Sequence, residues 1–151
     1  MASAQVQYNV DYREALQLAI NREVEAENFY GRAADKVHQA DPKSLLRRLA
    51  IQEKKHQQLL RTFSDEVIHA PKGVFVPPSG LTYDVPETAL KDTEQIFRLA
   101  IDKEEESLNF YARFLVYFFG TGHEKTFFDI FEMERDHKEQ LERNLENFFR
   151  L

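Results

Sequence analysis

Cysteine is absent from the 151 residues, which excludes disulfides, thiolate clusters and Cys-ligated zinc together. Any metal held by this chain must therefore sit on oxygen and nitrogen. Glycine and proline number only five each and strand-like runs are scarce, so a helical protein is favoured. A basic excess is missing too. The net charge of −6 argues against a nucleic-acid surface. The longest unbroken apolar run, residues 114–119, is far too short to span a bilayer. The opening MASAQVQYNV has neither the basic segment nor the apolar stretch of a secretion signal. The expectation is a soluble, cytoplasmic protein with no membrane and no nucleic-acid partner.

With 42% hydrophobic residues in 151, the chain can bury a sizeable core as one domain, expected to cover residues 1–151. Helical periodicity marks four segments, roughly 12–38, 43–68, 88–119 and 124–149. Asp11 followed by Glu14 looks like a capping box, and Asp41-Pro42 reads as an N-cap before a proline at the first helical position. Gly120 and Gly122 separate the last two helices. Pro71, Pro77, Pro78 and Pro86 fall in the one long connection, about 70–87. About eighteen extended residues reach roughly 60 Å, whereas a helix of this size is about 39 Å long. The connection can therefore run the whole length of a bundle, leaving helices two and three parallel while one and two, and three and four, pair antiparallel.

The two halves repeat. AINREVEAENFY at 19–30 returns as AIDKEEESLNFY at 100–111, and a Glu-x-x-His follows each copy at the same distance. Glu23 answers to Glu104, Tyr30 to Tyr111, Glu53 to Glu134 and His56 to His137, each pair offset by 81 residues. The repeats, about 11–69 and 88–150, imply a pseudo-twofold axis.

Each of these ionisable residues interrupts an apolar seam with alternating steps of three and four, apart from a step of seven between Leu141 and Phe148. The seams are Leu16, Ile20, Glu23, Glu27 and Tyr30; Leu46, Leu49, Glu53, His56, Leu60, Phe63 and Val67; Phe97, Ile101, Glu104, Leu108, Tyr111, Leu115 and Phe118; and Phe127, Ile130, Glu134, His137, Leu141 and Phe148. Residues three apart share a helical face, so each Glu-x-x-His converges on one side. An unpaired buried carboxylate costs several kcal/mol, and four facing one another would disrupt the core. Two divalent cations cancel four glutamates. Glu23, Glu53, His56, Glu104, Glu134 and His137 are accordingly the candidate ligands of two metal ions.

This arrangement resembles the ferritin-like di-iron carboxylate family, in which two helices each give one glutamate and two others each give Glu-x-x-His. Over nearly the whole chain it looks most like the di-iron domain of the rubrerythrins. The resemblance implies an all-α, ferritin-like antiparallel four-helix bundle with one long crossover between helices 2 and 3. It implies two iron ions, with manganese or a mixed pair as alternatives, bridged by Glu53 and Glu134. Glu23 with His56 and Glu104 with His137 would be terminal ligands. The implied activity is reduction of hydrogen peroxide, with dioxygen as a second oxidant. Ferroxidase and iron-storage chemistry, and manganese catalase-like disproportionation, are the alternatives. Rubrerythrins usually carry a Cys-ligated iron domain as electron donor; a chain without cysteine needs an external donor protein. They also carry an extra glutamate one turn beyond the third-helix ligand, where Ser107 stands here. Glu105 or Glu106 could replace it only in a locally distorted helix.

Tyr30 and Tyr111, two turns beyond Glu23 and Glu104, are the candidate catalytic residues. They either hydrogen-bond a ligand glutamate and pass protons and electrons, or are core tyrosines satisfied elsewhere. Glu27 is either a further ligand or iron-entry carboxylate, or a solvated or Arg-paired edge residue. Asn28 and Asn109 are expected to face outward, and His38, His69 and His123 to be surface residues. The Phe-rich stretches 114–119 and 127–131 are core, with a homodimer interface as the second reading.

Overall fold

A computed structural model of the protein describes residues 11–63, 71, 75–78 and 85–149. Among them are four long helices: α1 (Tyr12–Lys36), α2 (Ala40–Phe63), α3 (Thr93–Tyr117) and α4 (Glu124–Phe149). A short 3₁₀ turn, Glu87–Ala89, precedes α3. The ends of α1 and α3 are set by side chains. Asp11 Oδ1 accepts from the Glu14 backbone N–H at 2.9 Å, and Asp92 Oδ1 accepts from Gln95 N–H at 2.8 Å, each satisfying a donor that the first turn leaves without a partner. Gly120 and Gly122 adopt φ values of 84° and 91°, a left-handed conformation that glycine enters without a Cβ clash. They turn the chain from α3 into α4.

Several helix boundaries depart from the sequence reading. Asp41 and Pro42 lie inside the first turn of α2, which starts at Ala40. Proline is tolerated there because first-turn N–H groups have no intrahelical acceptor. The third helix begins at Thr93 rather than 88 because the Asp92 cap fixes its start. Val67 and His69 lie outside the described residues.

The core has two parts. One joins the C-terminal half of α1 to the starts of α2 and α3 and the end of α4, through residues such as Phe29, Leu45, Phe97 and Leu141. The other joins the N-terminal half of α1 to the end of α3 and the start of α4, through Leu16, Phe114, Phe118 and Phe127. Described points of the crossover touch both. Phe75 packs 5.5 Å, centroid to centroid, from Phe110, Phe114 and Tyr117, while Val85 belongs to the opposite cluster and accepts a hydrogen bond from Arg32. Described points of the long connection thus lie toward both ends of the bundle, which its length allows.

Among the described residues, most seam positions are buried, with Glu27 and Phe63 half-buried and two shifts. On α3 the buried line runs through Ala100, Ser107 and Phe114, and Ile101, Leu108 and Leu115 are only half-buried at its flank. Steps of three and four fit two adjacent lines on one helix, and the small Ala100 and Ser107 sit on the line facing the neighbouring helices. On α4, Leu145 takes the inward place after Leu141, and Phe148 is 41% exposed.

Candidate metal centre

Between the two apolar clusters lies a polar layer. Glu23, Glu53, His56, Glu104, Glu134 and His137 are all buried, one carboxylate from each helix and one imidazole from each of α2 and α4. They fall into two groups, Glu23–Glu53–His56–Glu134 and Glu53–Glu104–Glu134–His137, whose ligand atoms lie within 4.8 Å of one another. Glu53 and Glu134 belong to both groups.

The two groups mirror each other. His56 Nδ1 is 2.9 Å from Glu134 Oε1 and 3.5 Å from both Glu23 Oε2 and Glu53 Oε2. His137 Nδ1 is 2.9 Å from Glu53 Oε1, 3.6 Å from Glu104 Oε1 and 3.7 Å from Glu134 Oε2. Each imidazole thus comes nearest the glutamate of the opposite Glu-x-x-His. The rings stack 5.9 Å apart, 14° from parallel. Tyr30 Oη donates to Glu104 Oε1, and Tyr111 Oη donates to Glu23 Oε1 at 2.5 Å. Each tyrosine therefore serves the glutamate of the other repeat.

Many of the inward atoms are left without an aligned hydrogen bond: Glu23 Oε2, Glu53 Oε1, Glu104 Oε2, both oxygens of Glu134, and Nδ1 of both histidines. Buried polar atoms are normally paired. These are close in distance yet out of line for proton sharing, an arrangement that fits lone pairs aimed at cations. Oxygen and imidazole donors with no thiolate suit a divalent transition metal.

The electrostatics of the protein without metal point the same way. Burial, then the charges of Glu53 and Glu134, push Glu23 well above the usual carboxylate range; burial and Glu134 do the same to Glu104. Burial would also raise Glu53 and Glu134, and the Glu134 charge would raise Glu53 further, but the close approach of neighbouring carboxyl and imidazole groups outweighs this and lowers both. The histidines are desolvated, yet the surrounding carboxylates raise them far above 6.5. Protons and cations would compete for these same atoms.

A family model described as Rubrerythrin matches residues 14–145. The chain belongs to the rubrerythrin family. Among solved structures, a putative ferritin-like diiron-carboxylate protein from Thermotoga maritima is similar in fold. The TM-score is 0.74 at 22% identity, over 89% of this chain and 94% of that one. No curated protein matches the sequence. Family and buried cluster together give this rubrerythrin-family chain a dinuclear metal site.

Residues 93–117 form uninterrupted α-helix, Glu105 is exposed and pairs with Lys138 at 2.6 Å, and Glu106 contacts Lys103 at 3.4 Å. Neither joins the metal groups. Ser107 is buried and accepts a hydrogen bond from Arg22 Nη2 at 3.3 Å; the Arg22 guanidinium also lies 4.8 Å from the Phe110 ring centroid. Glu27 is outside both groups and half-buried, accepting from Gln57 Nε2 at 2.8 Å rather than from an arginine.

His123 is a correction: it is buried, with its ring 4.7 Å from Phe63, not at the surface. The turn that ends α3 folds it back onto the end of α2. Asn28, Asn109 and His38 are exposed as expected. Gln52, not among the residues expected at the site, places its Oε1 against His137 Nε2. Its place next to Glu53 was the available signal.

Proposed function

We propose that this protein is a non-haem di-iron oxidoreductase that reduces hydrogen peroxide, with dioxygen as a second oxidant, using electrons from an external donor protein. The observation that carries the reading is the pair of overlapping four-residue groups sharing Glu53 and Glu134 in a rubrerythrin-family chain. In this reading Glu53 and Glu134 would help to hold both metals, while Glu23 with His56 and Glu104 with His137 would complete one position each. Bound there, two iron ions would supply one electron apiece and Lewis acidity toward an O–O bond. Manganese fits the same donors.

The chain's own residues position and protect. Tyr30 and Tyr111 hold the terminal carboxylates in place through their hydroxyls. Burial first, and then the Glu23 and Glu134 charges, raise the Tyr111 phenol well above its ordinary range, so it remains an O–H donor at neutral pH. Reducing peroxide to two waters consumes two electrons and two protons, and these hydroxyls are nearby proton relays. Phe110, Phe114 and Phe127, packed beyond Tyr111, keep bulk water from that side. Among the described residues, no helix is long and apolar enough to cross a membrane, and we place the activity in the cytoplasm, where reductants are supplied.

The test is anaerobic reduction of the iron-loaded protein, followed by peroxide or dioxygen while ferric absorption is recorded. Faster reoxidation by peroxide supports the reading. Growth of a ferric mineral would favour iron storage instead, and peroxide disproportionation without any reductant would favour catalase chemistry.

A further inference from the structure

The six metal-facing residues repeat in the two halves of the chain, but the outer partners of the two histidines do not. His137 Nε2 lies against Gln52 Oε1, contributed by α2. His56 is equally buried, and its Nε2 has no hydrogen-bond partner among the described residues. The residue 81 places after Gln52 is Met133, which carries no oxygen acceptor and only a weakly accepting sulfur.

Both imidazoles present Nδ1 to the carboxylates. An imidazole that coordinates through Nδ1 must carry its proton on Nε2. An acceptor at Nε2 fixes that tautomer, holds the ring's orientation and raises the basicity of the coordinating nitrogen. Gln52 Oε1 provides this for His137 alone.

Other neighbours do not compensate. The tyrosine hydrogen bonds are matched, one to each terminal glutamate. Gln57 donates to the Glu23 backbone carbonyl and to Glu27, reaching no inward carboxylate oxygen. Its repeat equivalent, Lys138, pairs with Glu105 and Glu142.

We propose that Gln52 is a positioning residue that makes the two metal positions unequal. The Glu53–Glu104–Glu134–His137 position fills first and tightly; the Glu23–Glu53–His56–Glu134 position fills second and exchanges its metal more readily. This rests on the dinuclear reading above. It predicts that a metal pair of mixed identity forms in one orientation, with the slowly exchanging ion beside His137.

The experiment is an anaerobic titration of the metal-free full chain with Co(II), followed by calorimetry and visible absorption. Two neighbouring cations repel, so two binding steps alone do not implicate Gln52; the variants do. His137→Ala is expected to lose the tight step and His56→Ala to retain it. Gln52→Met should weaken the tight step by roughly 10- to 100-fold, the range for loss of an outer hydrogen bond to a metal-bound histidine. Met133 is 39% exposed, so Met133→Gln tests the idea from the other side without disturbing the core. It should tighten the second step. An unchanged tight step in Gln52→Met, or its loss in His56→Ala rather than His137→Ala, overturns the inference while leaving the dinuclear site standing. Failure of the wild-type chain to bind Co(II) overturns both.

Discussion

Tyr111 donates its hydroxyl to Glu23 Oε1 at 2.5 Å across 88 residues of sequence. The contact ties α3 to α1 at the level of the metal site, and the Tyr30–Glu104 contact ties them again in the reverse sense. Tyr111→Phe keeps the ring and removes only the donor, leaving a buried carboxylate oxygen unsatisfied. We expect a loss of about 1–3 kcal/mol in the stability of the metal-free protein and roughly tenfold weaker metal binding at the position containing Glu23. Denaturant unfolding and metal titration check this. Unchanged values would show that the hydroxyl is dispensable.

Glu53 and Glu134 are shared by both groups, whereas Glu23 and Glu104 each belong to one. Glu53→Ala or Glu134→Ala should therefore abolish the two-metal state, while Glu23→Ala should leave one intact group and one metal. Metal analysis of the purified variants decides. Two metals retained per chain in Glu53→Ala would refute the bridging assignment.

Without metal, stability should fall as pH rises. His56 and His137 are raised above 6.5 in the fold, so the folded chain keeps protons that the unfolded chain releases. Their contribution is complete below 6.5 and is lost at higher pH. Glu23 and Glu104, raised above 4.5, act in the same direction. Glu53 and Glu134 are lowered and contribute oppositely, losing stability only as pH falls below 4.5. Metal displaces these protons and binds more tightly as pH rises. Melting curves from pH 6.5 to 9 should show the metal-free protein declining and the gap to the loaded protein widening. A flat metal-free curve contradicts this.

Val116 and Phe119 are 78% and 79% exposed near the end of α3, and Phe128 on α4 is 50% exposed. Inward turns of the same Phe-rich stretches fill the core, and the outward turns leave large apolar side chains open to a partner. We propose a second copy of the chain. Light scattering should give a dimer that Phe119→Glu converts to monomer; a wild-type monomer at high concentration contradicts it.

Much of this was legible in the sequence because two signals coincide at each functional residue. Glu53 with His56 and Glu134 with His137 stand on apolar seams and repeat at a constant offset of 81, so helix, face and partner follow together. The start of α2 was less legible because Asp41-Pro42 suits either the cap or the first turn. The choice between Leu108 and Ser107 for the inward line of α3 depends on the neighbouring helices, which three-and-four spacing does not specify. Burial of His123 depends on how a glycine turn folds back. The Gln52–His137 contact joins two helices through a residue with no apolar or repeat signal of its own, since position 133 is methionine.

The central claim is that six buried ionisable groups are tolerated because they hold two cations. Metal analysis of the full chain, paired with melting before and after chelation, tests it most directly. We predict two transition-metal ions per chain and a stabilisation of about 2.7 kcal/mol or more when free metal exceeds its dissociation constant a hundredfold. A chain that binds no metal, and melts at the same temperature with and without chelator, would contradict it.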